Sequence, residues 1–144
     1  MKICFILCFL CLALTVRAQK QEVQKTIELF FEGFHQKDSI KIKSVCSDKI
    51  ILQSISENAV KGNKLNNENS AEFYKSIASI PSTVKFQEKI LNYNIQIDGS
   101  MARVWAPYEF YLNEKLSHSG VNTFTLFKEK DSWKIIYLID TRRK

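Results

Sequence analysis

Apolar residues recur at spacings of three and four from Val23 through Ile27, Phe30, Phe31 and Phe34, with lysines and glutamates between them. That period lines one face of a helix, so Gln21 to Gln36 is predicted to be an amphipathic helix. Asp38-Ser39 is an N-cap signal for a second, shorter helix with Ile42, Val45 and Cys46 on its inward side. Ile50 to Ile55 is a short apolar run with β-branched residues and is predicted as a strand. Asn58 to Asn67 is polar and carries Gly62, which predicts a loop or a small hairpin. Asn69-Ser-Ala-Glu72 has the form of a capping box. The helix it opens is expected to bury Phe73, Tyr74, Ile77 and Ala78, and to end by Pro81.

From Val84 the period changes to two. Leu91, Tyr93, Ile95 and Ile97 alternate with Asn92, Asn94 and Gln96, the pattern of one strand with an apolar and a polar face. Asp98-Gly99 signals a tight hairpin. Met101 to Leu112, Leu116 to Lys128 and Trp133 to Thr141 follow as long strands, divided by turns at Asn113-Glu114-Lys115 and Lys130-Asp131-Ser132. Helices first and an antiparallel meander afterwards imply an α+β domain, with the helices packed on one face of a curved sheet. Such a sheet, roofed by the first helix, encloses a cavity at its open end, which is the default place for a ligand.

The chain begins with a different pattern. Lys2 precedes an almost unbroken apolar run from Ile3 to Val16, too short to cross a bilayer comfortably. Val16-Arg17-Ala18 has the small or β-branched residues of a processing site, so residues 1–18 are expected to be a signal peptide and 19–144 the mature domain. The expected destination is the periplasm or the cell exterior, with no membrane anchor after cleavage. Cys4, Cys8 and Cys11 leave with the leader, so Cys46 has no disulfide partner and is expected to be a buried packing residue of the second helix. The leader holds Lys2 and Arg17 and no acid, so the net charge of +6 falls to +4 without it. The lysines are scattered and no basic stripe with interleaved aromatics is present, which argues against a nucleic-acid partner.

Three strand faces carry the candidate chemistry. His118, Asn122 and Phe124 share one face of a strand, Tyr108 and Phe110 share another, and Asp140 and Arg142 share a third. Lining one cavity, His118 would move protons near neutral pH and Asp140 would orient it. Arg142 would grip an oxyanion, while Asn122, Tyr108, Phe110 and Phe124 would hold a flat ligand. The competing reading gives Asp140 and Arg142 a structural ion pair and leaves His118 facing water. His35 at the end of the first helix is expected to be solvated, Trp105 to pack under a helix, and Trp133 to pack in the core or at its rim. No spacing suits zinc, and no glycine-rich phosphate loop is present, so no metal or cofactor is expected.

Val104-Trp-Ala-Pro-Tyr-Glu-Phe-Tyr111, His118-Ser-Gly-Val-Asn122, the Asp131-Ser-Trp-Lys-Ile-Ile136 segment and Asp140-Thr-Arg-Arg143 resemble the nuclear transport factor 2-like (NTF2-like, or SnoaL-like) superfamily. The nearest resemblance is to a bacterial lumazine-binding subgroup. It implies a cone-shaped α+β fold but no single activity, because this fold hosts many. Three functions remain open at this point. One is a domain binding a small, partly aromatic or apolar ligand in the cone. Another is a cofactor-free cyclase, isomerase or dehydratase using His118 and Asp140. The third is an interaction module that forms a homodimer through the sheet, with Trp105, Val121 and Ile135 as contact candidates.

Overall fold

The computed structural model describes residues 2–144, with side chains described from Arg17 onward. The expected leader therefore falls largely outside the described side chains. Helix α1 (Lys2–Gln36) carries the phenylalanine stripe and buries Val23, Ile27, Phe30 and Phe31. It stops where Lys37 adopts a left-handed φ of 59° and the Asp38 amide donates back to the Gly33 carbonyl at 2.8 Å. The Lys37 ammonium then donates to the carbonyls of Pro81 and Val84, at 2.6 and 2.9 Å, and ties a distant loop to the helix end.

Asp38 caps α2 (Ser39–Val45) by accepting from the Lys41 amide at 2.9 Å. Asn69 caps α3 (Ser70–Ala78) by accepting from the amides of Ala71 and Glu72. Both caps satisfy amides that a helix start leaves without partners. Cys46 does not belong to α2, as its pattern had implied. Its backbone is extended, with φ −99° and ψ 153°, because it opens strand β1 and pairs with Ile135.

Seven strands form one curved, unclosed mixed sheet among the described residues: β1 (Cys46–Ser56), β2 (Lys64–Glu68), β3 (Phe86–Ile90), β4 (Asn94–Asp98), β5 (Met101–Leu112), β6 (Lys115–Glu129) and β7 (Ser132–Arg142). The order is β2-β1-β7-β6-β5-β3, with β4 also on β5. All pairs are antiparallel except β1 with β7, which run parallel. The stretch expected as one strand around Leu91–Ile97 is broken in two. Leu91 donates to the Pro107 carbonyl at 2.8 Å, and the edge of Pro107 that accepts this bond has no N–H to return. Three residues, 91–93, therefore span the gap opposite Ala106 and Pro107, where two would continue the ladder. The extra residue reverses the faces: Leu91 is turned out, and Ile90 points inward in its place.

The helices lie on the concave face. Phe30 and Phe31 of α1 meet the ring of Phe124 edge-on, each at 6.0 Å, over Val104, Leu126 and Ile135. Burying each of these large side chains contributes roughly 1.5–3 kcal/mol. Trp133 is buried at the start of β7. Trp105 does not pack under a helix: all three helices cover the opposite face, and its side chain is 55% exposed on the convex side. Ile135, expected as a contact for a second copy, is wholly buried in the core because the irregularity between Thr125 and Leu126 turns it inward. Val121 stays half-buried on β6.

Candidate functional site

A cavity of about 80 Å³ lies between α1, α3 and the concave face. Its apolar wall is Phe30, Phe31, Phe34, Phe73, Leu52 and Leu138. Its polar wall is Ser54, Glu68, Glu88, Asn122, Asp140 and Arg142, with Gln53 beside them. The pairings explain the convergence. Asn122 stands opposite Asp140, Asp140 opposite Ser54, and Glu68 opposite Leu52, so β6, β7, β1 and β2 all project these groups from the same face. The sheet curls far enough for the Asn122 amide to donate to Glu88 Oε1 of β3 at 2.6 Å.

Gly120 makes that curl possible. A Cβ at this position would overlap the Thr141 carbonyl oxygen of β7 and lie 2.8 Å from Tyr108 Cε1. The space a side chain would fill is crossed by Tyr108, whose hydroxyl donates to the Thr141 carbonyl at 2.9 Å and to Asp140 Oδ2 at 3.1 Å. Arg142 Nε donates to the same Asp140 oxygen at 2.8 Å. Asp140 is thus held by a tyrosine beneath the cavity and a guanidinium at its rim, where the Arg142 side chain is 52% exposed.

Of the residues named from the sequence, Asn122, Asp140 and Arg142 line the cavity together. Tyr108 is not a stacking wall. It is 1% exposed and positions Asp140 from below. Phe124 is fully buried under Phe30 and Phe31, so it packs the core. Phe110 and His118 stack on each other with ring centroids 4.8 Å apart, outside the cavity lining. His118 Nδ1 meets only the Ser117 hydroxyl, at 3.2 Å, and no hydrogen bond joins it to Asp140. Burial, then the charge of Arg142, depress its basicity.

Glu88 was missed. A single unbroken strand with Leu91 inward puts Glu88 on the solvent side, and only the break opposite Pro107 brings it inside. Burial raises its carboxyl from the ordinary 4.5 to about 7; the amide of Asn122 opposes this and the charge of Asp140 adds to it. Glu68 is raised as well, again chiefly by burial. Burial and then Asp140 raise the Tyr108 hydroxyl, which stays protonated as a donor. For Arg142 burial is the largest influence and works against the charge, but the hydrogen bond to Asp140 and the charges of Asp140 and Glu88 together outweigh it and hold the guanidinium ionised.

Two further residues differ from expectation or meet it in detail. His35 is not merely solvated: its Nε2 accepts the Glu88 backbone amide at 3.0 Å, which locks β3 to the end of α1. Burial lowers its pKa, and the accepted bond places the neutral ring's proton on Nδ1. Cys46 is a free, buried thiol, pushed up to about 11 by burial, which disfavours the nucleophilic thiolate.

No family model and no curated protein matches the sequence. Solved structures do match. An NTF2-like protein of unknown function from Shewanella baltica is 17% identical, with a TM-score of 0.65 over 88% of this chain and 95% of that one. A candidate dehydratase of the NTF2-like family from Streptomyces avermitilis is 14% identical, with a TM-score of 0.67 over 89% and 98%. An NTF2-like protein from Cytophaga hutchinsonii is 12% identical, with a TM-score of 0.69 over 87% and 98%. These three similarities do not show the lumazine-binding subgroup. The helices on a curved, unclosed seven-stranded sheet are therefore the NTF2-like α+β fold.

Proposed function

We propose that this protein is an exported domain that binds a small, partly apolar molecule in the cavity beneath α1. The observation that carries the reading is the division of that cavity into an aromatic wall, from Phe30 to Phe73, and a polar wall from five strands. Ligand pockets combine a mostly apolar lining with a few placed polar groups in this way. Export rests on the leader pattern of residues 1–18.

Leu138 stands on the cavity wall and is only partly buried, so a larger side chain there enters the empty space. Leu138→Trp is expected to abolish binding of any small molecule that co-purifies with the wild-type protein, with the circular dichroism spectrum unchanged. Native mass spectrometry of both proteins reads the result. A ligand retained at full occupancy in the variant would place binding elsewhere.

Proton-transfer catalysis is the second reading, and Glu88 favours it. A carboxyl titrating near 7 beside an empty cavity suits a general acid or base. On this reading Glu88 takes the role first considered for His118. One similar structure is a candidate dehydratase, so dehydration of a small hydroxylated compound is the first reaction class to assay. Glu88→Gln is then expected to remove turnover, while His118→Ala leaves most of it; the reverse pattern would return the role to His118.

A further inference from the structure

The charges of the cavity do not balance. Glu68, Glu88 and Asp140 line it, and Arg142 is the one cationic side chain among the described lining residues. Arg142 donates its Nε to Asp140 at 2.8 Å and so balances the charge of that carboxylate, which receives the Tyr108 hydroxyl as well. Glu68 and Glu88 flank it with no salt bridge in the described structure. Glu88 accepts one neutral amide hydrogen, from Asn122, which leaves its second oxygen without a donor. On the same wall the Ser54 hydroxyl is fully buried and has no hydrogen-bond partner. A buried hydroxyl of that kind is free to donate to or accept from a molecule in the cavity.

This acidic pocket sits in a chain of net charge +6, so it does not follow from an acidic composition. An anion entering it would face two carboxyls that no salt bridge balances, against a single guanidinium whose charge Asp140 already offsets. A cation would meet Glu88 and Glu68 directly, and its body would lie against Phe30, Phe31 and Phe73, whose ring faces also attract positive charge. The volume of about 80 Å³ gives room for on the order of six water molecules, hence a ligand with about as many heavy atoms.

We infer that the cavity selects a small organic cation with an apolar body, of the primary amine or amidinium class, with Glu88 as its counter-ion. This rests on the reading of the cavity as a ligand pocket. The elevated carboxyls are consistent with it, because burial outweighs the charge of Arg142, the one cation that acts on both. Binding of a cation drives Glu88 to give up its proton, so association at pH 6.5 releases protons to the buffer.

Three probes of similar shape and no more than six heavy atoms separate the possibilities: isobutylamine, isobutanol and isobutyrate, each titrated calorimetrically into the purified protein. Isobutylamine is expected to bind at least tenfold more tightly than isobutanol, with isobutyrate showing no binding. Its measured enthalpy at pH 6.5 is expected to vary with the ionisation enthalpy of the buffer. Glu88→Gln is expected to weaken isobutylamine at least tenfold and leave isobutanol unchanged, with folding checked by circular dichroism. Glu68→Gln is expected to weaken isobutylamine less. Isobutyrate or isobutanol binding as tightly as the amine would overturn the cation and leave the pocket standing, as would an unaltered amine affinity in Glu88→Gln. Failure of all three probes to bind would overturn the cation and count against the pocket as well.

Discussion

Replacing Glu88 with Gln is expected to stabilise the protein at pH 8 by about 3 kcal/mol and to leave it nearly unchanged at pH 4. The folded carboxyl titrates at about 7 and the unfolded one at 4.5. Below 4.5 both states are protonated, and the carboxyl carries no charge penalty. As the pH rises from 4.5, the unfolded chain ionises first, and stability falls until the folded group ionises as well, through about 7. Above that value the penalty is complete. Glutamine has the same shape and keeps an oxygen for the Asn122 amide, so the substitution removes the charge and little else. Urea unfolding of both proteins at the two pH values measures it. A wild-type stability that does not fall between pH 4 and pH 8 relative to the variant would show that Glu88 is not desolvated. A group that costs stability at neutral pH and sits in a cavity is a familiar mark of a working site.

Gly120→Ala is expected to cost more, about 3 kcal/mol or above, and so to threaten the fold itself. Forcing extra atoms into a packed interior costs typically about 1–3 kcal/mol when side chains can yield. Here the atom met is the Thr141 carbonyl oxygen, which belongs to the backbone of the neighbouring strand. The clash is relieved only by moving β6 from β7, which also breaks the reach of Tyr108 to Asp140 and Thr141. A lowered urea midpoint and loss of the buried tyrosine signature in near-ultraviolet circular dichroism are the expected readouts. A loss under 1 kcal/mol would mean that the two strands do not approach as closely as described.

Most of the architecture was legible, and particular residues show why. The stripe Val23 to Phe34 has one solution, a helix with a buried face, and the alternation in β5 to β7 has one as well. Turn residues placed strand ends within a residue or two, because Asn113, Glu114 and Lys130 take positive φ where the sequence signalled turns. The parallel partnership of β1 with β7 was not legible, since periodicity within a strand is silent about its neighbour. The site was read in part. Asn122, Asp140 and Arg142 were placed on inward faces by simple alternation, which holds as long as a strand is unbroken. Glu88 escaped because alternation was carried across Pro107's missing donor, where one extra residue inverts inside and outside. His118 obeyed the parity rule and still lies outside the cavity: sharing a face does not fix depth along it. Pro107 was the one available signal for a break, and following it through β3 would have exposed Glu88.

The parallel pairing of β1 with β7 has a consequence for the order of events in synthesis. Strand β1 is made early, yet its central partner is the last eleven-residue strand of the chain. Until those residues leave the ribosome, β1 has only the short β2 beside it, and the floor of the domain cannot close. Contacts that span so much chain form slowly. A polypeptide whose β1 must wait for β7 keeps an incomplete sheet through most of its synthesis.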